Sequence, residues 1–401
     1  MKYKEERLGD FIDILSGYAF KTKDFVNSGI PIIKIKNICP PYVSLDDVTY
    51  VSKELAEKQS KFKLHYDDVL IAMTGSHINQ WASVVGRVAR VKYTDTTLLN
   101  QRVGKISVKS DVEADLNYIY YFLSQDTVKI ELASKAGGAA NQANISPTHI
   151  ENLNFPCPDI DTQMKIGSIL RNYDNLIENN QKQIKLLEEA AQRLYKEWFV
   201  DLRFPGHENV KIVDGVPEGW SIKRLDEIAD IKMGQSPKSE FYNNDQQGLP
   251  FHQGVSSYGD RFVEDVIYST SYTRIAEAGS ILFSVRAPVG RLNITKNKIV
   301  IGRGLAAINH RTNLQSFLFY MLNERFFKED LLGNGSIFAS ITKTELFAQT
   351  FLCPTEGIVR KFEEYVLKMD DKISILDAQI KQLMEVRDRL LPKLMSGEIE
   401  V

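Results

Sequence analysis

NQANISPTHIENLNFPCP (141–158) and IFASITKTELFAQTFLCP (337–354) stand 196 residues apart, and each runs directly into a long amphipathic stretch. That offset then holds without a gap for the next 40 residues. Working outward, KEERLGDFIDILSG (4–17) falls on SIKRLDEIADIKMG (221–234) at an offset of 217. DVLIAMTGSHINQWASVVGRV (68–88) is matched by GSILFSVRAPVGRL (279–292), with Gly86-Arg87 on Gly290-Arg291. The second copy is therefore about 21 residues shorter, and the difference lies in its first two-thirds. A period near 200 residues is a duplicated domain, not a solenoid of small repeats.

The amphipathic stretches share one register. The first seam runs Ile166, Leu170, Tyr173, Ile177, Asn180, Ile184, Leu187, Ala191, Leu194, Trp198, in alternating steps of 4 and 3. The second reads Phe362, Val366, Met369, Ile373, Leu376, Ile380, Leu383, Arg387, Leu390, Leu394. An apolar a/d stripe sustained over more than four heptads is the mark of a coiled coil. At ~1.5 Å per residue each seam is roughly 48 Å long. A helix of that length is hard to bury in one small domain, and its only equally long counterpart is the other copy. Antiparallel pairing is the expectation, with Asn180 near the middle facing Leu376 or Ile380. A single buried Asn commonly fixes register at some cost in stability; a solvated edge position is the plainer alternative.

Ahead of each helix, short β-rich runs (68–74, 83–92, 103–108) alternate with turn clusters and one helical stretch near 115–134. This order reads as α+β, with two α/β domains in tandem. The expected organisation is a first domain over 1–160, a helix over 161–200, a linker over 201–218, a second domain over 219–356, a helix over 357–396 and a tail over 397–401. The linker is marked by Pro205-Gly206, Asp214-Gly215 and Pro217-Glu218-Gly219.

Composition narrows the class. The 401 residues are 43% hydrophobic and 25% charged, as in a soluble globular protein, and exceed the usual size of one domain. No stretch approaches the ~20 apolar residues of a membrane span, and MKYKEERLGD lacks the apolar core of a signal peptide. Three cysteines (Cys39, Cys157, Cys353) exclude a disulfide framework and point to a reducing cytoplasm.

Catalytic patterns are wanting. There is no HExxH, no Cys-x-x-Cys pair and no Walker A sequence, and the six histidines are scattered. Gly302-Arg303-Gly304 lacks the third glycine and the strand–helix setting of a dinucleotide loop. Asn154-Phe155-Pro156-Cys157 resembles the tetrapeptide of amino-methyltransferases without its first proline, and its mate Thr350-Phe351-Leu352-Cys353 carries nothing similar. Glu218, Asp230 and Lys232 imitate a nuclease triad, but the first copy has Asp13-Ile14-Leu15 at the corresponding place. No catalysis and no cofactor of its own are expected.

The net charge of −2 conceals a local bias. Arg87, Arg90, Lys92, Arg102, Lys105 and Lys109 lie between Asn79 and Ser110 with one acid, Asp95. The matching stretch from Gly279 to Thr312 holds Arg286, Arg291, Lys296, Lys298, Arg303 and Arg311 with none. One basic run is usually a solvated face; two at matching places argue for a shared role. Polar and aromatic groups stand beside them: His77, Asn79, Gln80 and Trp81 in the first copy, His252, Gln253, Tyr258 and Arg261 in the second. Arg, Asn and Gln read base edges, whereas Lys mainly holds phosphate. The candidate DNA contacts are these polar and aromatic groups together with Arg87, Arg90, Lys92, Arg102, Lys105, Arg286, Arg291 and Arg303.

LLPKLMSGEIEV (390–401), EEAAQRLYKEWFVDLRF (188–204), VPEGW (216–220), NQRVGKI (100–106) and the repeated FPCP/FLCP exits, in this order, resemble the specificity subunits of type I restriction–modification enzymes across essentially the whole chain. The resemblance implies two target-recognition domains, each reading half of a bipartite double-stranded DNA target. It also implies that the helices dock two modification subunits, through residues such as Ile177, Asn180, Ile184, Leu187, Leu194, Ile373, Leu376, Ile380, Leu383 and Leu390. S-adenosylmethionine, ATP and Mg would sit on the modification and restriction (motor-nuclease) partners. The other reading is a coiled-coil adaptor with two protein-binding heads, which has no need of doubled basic segments.

Overall fold

The computed structural model describes residues 3–76, 85–137, 143–326 and 340–401. The chain forms two compact units: Met1–Asn179 with Gln379–Val401, and Asn180–Ala378. The division falls inside both long helices, so each unit is built from one globular copy and parts of two helices.

In the first unit a six-stranded sheet runs in the order Ile12–Ser16, Val103–Val108, Val69–Ala72, Val88–Arg90, Tyr42–Val43, Ile38–Cys39. A five-stranded sheet follows the order Phe25–Val26, Thr49–Val51, Ile30–Ile33, Thr97–Leu99, Lys63–Leu64. All four residues of Val69–Ala72 are buried. Because side chains alternate across a strand, Val69 and Ile71 join the core under the helices while Leu70 and Ala72 join the core between the sheets. Burying each large aliphatic chain on such a strand contributes about 1.5–3 kcal/mol. This strand therefore ties three layers together.

The second unit repeats the plan. Its first sheet is Ala229–Met233, Leu305–His310, Ile281–Ser284, Leu292–Ile294. Its second is Tyr242–Asn243, Tyr268–Ser269, Leu249–His252, Ile299–Ile301, Ile275–Ala276. Ile281 and Phe283 face the helix-side core and Leu282 the inter-sheet core. Each second sheet contains one parallel pairing, Leu98 with Ile32 in the first unit and Phe251 with Val300 in the second. Each copy is also clasped by its first strand against its last, Lys4–Arg7 on Asn154–Cys157 and Ser221–Arg224 on Thr350–Cys353. The first unit extends its sheet with the hairpin Ile38–Val43, where the second has the isolated bridges Phe262–Ile294 and Tyr258–Val263. The helical stretch expected near 115–134 is two helices, Leu116–Ser124 and Asp126–Ser134, separated by Gln125 in an extended conformation.

The long helices span Ile160–Tyr195, continuing through a π-helical turn over Lys196–Val200, and Glu356–Ser396. None of the twenty seam residues is exposed. Leu176, Leu186 and Ile375, equally apolar but off the seam, are 50%, 64% and 52% exposed. Position on the helix, not polarity, thus decides burial. In the first unit Ile166 and Leu170 share a core with Leu390 and Leu394. Arg387, the one charged seam residue, donates from Nη1 to Asp174 at 2.6 Å. In the second unit the Trp198 and Phe199 rings lie 6.0 and 5.1 Å from that of Phe362.

A carboxylate caps the same helix in both units but comes from different elements: half-buried Asp115 in the first, buried Glu363 in the second. Asp115 Oδ1 accepts from Tyr118 N at 2.7 Å at the start of Leu116–Ser124. In the second unit Glu363, on the long helix, accepts from Ser316 N at 3.0 Å and Phe317 N at 2.8 Å. The repeat places Gly167 at the Glu363 position, and a Cβ there would stand 2.3 Å from Asp115 Oδ1. One carboxylate at a helix N-terminus satisfies the free N–H groups and opposes the dipole; the glycine makes room for the copy that supplies it locally.

Candidate nucleic-acid interface

In both units two neighbouring strands of the first sheet end at one corner, and strand pairing fixes which residues arrive there. Ala72 is opposite Val103 in the first unit, as Ser284 is opposite Leu305 in the second. Counting out from these pairs, Thr74 matches Arg286, Gln101 matches Arg303 and Arg102 matches Gly304.

At the first corner Arg102 is exposed, and its Nη1 donates to Asn144 Oδ1 at 3.1 Å and Thr74 Oγ1 at 3.3 Å. Gln101 is exposed beside it, and Arg87 is half-buried at the head of Val88–Arg90. At the second corner Arg286, Arg303 and Gln253 are all exposed. Among the described residues no carboxylate pairs with Arg286 or Arg303. Gln253, Arg286, Glu264, Ser257 and Tyr242 line a cleft of about 470 Å³. Each corner thus presents a guanidinium beside an amide side chain, Arg102 ahead of one strand in the first copy and Arg286 and Arg303 at the ends of both strands in the second.

Several expected contacts are corrected by the structure. Arg90 is 4% exposed, lies 4.2 Å over the Tyr120 ring and pairs with Asp67 at 3.3 Å. Lys92 is held by Asp67 and Glu178, each at 3.6 Å, and Lys105 by Asp68 at 2.8 Å. Arg261 is 5% exposed, 3.8 Å over the Phe319 ring, and donates to Asp370 at 2.7 Å. His252 is 1% exposed, between Ser257 and Asp265. Tyr258 packs on the inter-sheet core, where burial pushes its hydroxyl pKa up. Arg291 is half-buried and lines a neighbouring cleft of about 460 Å³ with Arg261 and Tyr258. His77, Asn79, Gln80 and Trp81 lie outside the described residues.

The reason for the corrections is that charges cancel in space, not in sequence. The acid-free stretch 279–312 meets Asp377 at Lys296 (2.7 Å), Glu277 at Lys298 (3.3 Å) and Asp230 at Arg311 (3.3 Å). Asp67 experiences both effects: burial works to raise its pKa, and Arg171, Arg90 and Lys92 outweigh that and hold it below its ordinary value. At Glu188, beside Arg261, burial prevails over the guanidinium and the carboxyl is raised.

Sequence reasoning also missed a repeated lock. Asp174 accepts from Tyr121 Oη at 2.5 Å and from Arg387; Asp370 accepts from Tyr320 Oη at 2.9 Å and from Arg261. The two aspartates stand 196 residues apart, as do the helices that carry them, and that offset was the available signal. The paired arginines come from non-equivalent places, so no alignment of the copies reveals them.

The tandem domains, each with its long helix, define a duplicated α/β scaffold. The chain belongs to the type I restriction modification DNA specificity domain family, whose model matches residues 1–189 and 217–384. It is 29% identical to a protein of Methanocaldococcus jannaschii assigned as the MjaX type I restriction enzyme specificity subunit, covering 100% of this chain and 94% of that one. It is 28% identical to the MjaIX specificity subunit of the same organism, over 79% of this chain and 76% of that one. The fold is shared with the crystal structure of the type I restriction–modification S subunit from M. genitalium, with a TM-score of 0.60, 17% identity and coverage of 98% and 96%. No helix among the described residues is long and apolar enough to cross a membrane.

Proposed function

We propose that this chain selects the DNA target of a type I restriction–modification complex in the cytoplasm, each unit reading one half of a bipartite double-stranded sequence. The observation that carries this is the repeated corner: an exposed arginine with amide neighbours, at the same end of the same strand pair, in both copies. Arg gives two parallel donors to guanine O6 and N7, and Gln a donor and an acceptor to adenine. The long helices pair antiparallel as a coiled coil, supported by the unexposed seams and by Asp174–Arg387 and Trp198–Phe362, in which low numbers on one helix meet high numbers on the other. The helices dock two modification subunits and, through them, the restriction subunits. S-adenosylmethionine, ATP and Mg are held by those partners.

Arg286→Ala tests the corner in the assembled complex. Discrimination of about 1–3 kcal/mol is expected to disappear at one base of one half-site, with complex assembly unchanged. Methylation rates on a target library read this out. An even loss across sequences, with a shallower salt dependence, would assign Arg286 to phosphate instead. Unchanged rates and preferences would exclude the corner as a reading surface.

A further inference from the structure

We propose that His252 is a positioning residue for base readout by the second unit, fixing the loop that presents Gln253. This rests on the reading of that unit as a DNA reader. His252 Nε2 lies 2.9 Å from Asp265 Oδ1, and His252 Nδ1 lies 2.7 Å from Ser257 Oγ. A carboxylate only accepts, so Nε2 carries a proton toward Asp265, while Nδ1 shares the second hydrogen bond with the Ser257 hydroxyl. Asn297 Nδ2 donates to the other Asp265 oxygen at 2.7 Å and orients it. Since Ser257 is the last residue of the loop 253–257 and His252 immediately precedes it, the imidazole joins both ends of the loop.

The main chain is held from the other side by Gly302-Arg303-Gly304. Gly302 N donates to His252 O at 2.8 Å and Gly304 N to Gln253 O at 3.1 Å. A Cβ at Gly302 would stand 2.9 Å from Gln253 Cα, and one at Gly304 2.4 Å from Gln253 O. These glycines therefore serve close backbone approach rather than phosphate binding. Gln253 then starts from a fixed backbone on the wall of the cleft that Arg286 shares. A long amide side chain on a loose loop would have to lose that freedom on binding DNA and would discriminate less.

The first unit argues that this arrangement is not demanded by the fold. Strand pairing puts Ile33 opposite Leu99 where the second unit has His252 opposite Ile301, and Ile33 is fully buried. An aliphatic side chain suffices there. The polar chain belongs to one unit only, next to that unit's own reading corner.

The test uses the full chain assembled with its modification subunit, and a library in which each target position is varied. Gln253→Ala is expected to relax one base position, and His252→Leu and Ser257→Ala to relax the same position by about 5- to 150-fold in discrimination. Ser257→Ala leaves the His252–Asp265 pair in place and so guards against a general folding defect. The other half-site is expected to be unchanged in all three. The proposal is overturned if the His252 and Ser257 variants keep that preference, or lower methylation evenly at every position. Exchange of residues 219–355 separates the two levels. If the exchange alters a half-site and the His252 and Ser257 variants do not, the positioning role alone fails. If the exchange alters neither half-site, the DNA-reading assignment itself fails.

Discussion

Asp370→Ala is expected to destabilise the second unit by about 3–5 kcal/mol, because it leaves a buried guanidinium without its best partner. Arg261 is 5% exposed, with Asp370 at 2.7 Å, the Phe319 ring at 3.8 Å and Glu188 at 3.5 Å. Glu188 retains some compensation, which places the loss toward the lower end. Tyr320 Oη also loses its acceptor. The double replacement Arg261→Met with Asp370→Leu is expected to recover most of the loss, since a well-packed apolar pair removes both desolvation costs. Urea unfolding followed by the fluorescence of Trp198 and Trp220, both in this unit's core, measures it. A loss under about 1 kcal/mol would mean that the ion pair is as weak as an exposed one.

The second large effect is geometric. If the helices pair antiparallel, their length sets how far apart the two half-sites lie. One heptad inserted near Asn180 and another near Leu376 preserves the seam and lengthens the pair by about 10 Å. At roughly 3.4 Å per base pair, the preferred spacer is expected to grow by about 3 bp with both half-site sequences intact. The units would also turn relative to the DNA helix, so overall rates fall unless the new spacing restores phase. Methylation of a library of spacers, from the native length upward, gives the answer. An active double insertion that still prefers the native spacer would mean that the helices are not the ruler.

Much of the architecture was legible because it is periodic. The 196-residue offset revealed the duplication, and the 4–3 spacing picked out twenty seam residues that all prove shielded while Leu176 and Ile375 do not. The reading surface was only partly legible. Arg286, Arg303, Gln253 and Arg102 reach exposed corners, but Arg90, Lys92, Lys105 and Arg261 resemble them in sequence and are fixed inside ion pairs. Their acids come from Asp67, Asp68, Glu178 and Asp370, up to 109 residues away. A count of charge along the chain measures composition, whereas availability depends on which carboxylate the fold brings near. His252 shows the same limit. Its neighbours in sequence marked it as a contact, and its partners at Ser257 and Asp265 place it behind the surface.

Exchanging residues 219–355 for the corresponding segment of a relative tests most directly whether each unit reads its own half of the target. The exchanged chain is expressed with its modification subunits and the methylated sites are mapped across the host genome. A two-part motif is expected, in which one half changes while the other half and the spacer length stay as they were. A single contiguous motif, a change in both halves, or no change in either would contradict independent reading by two tandem units.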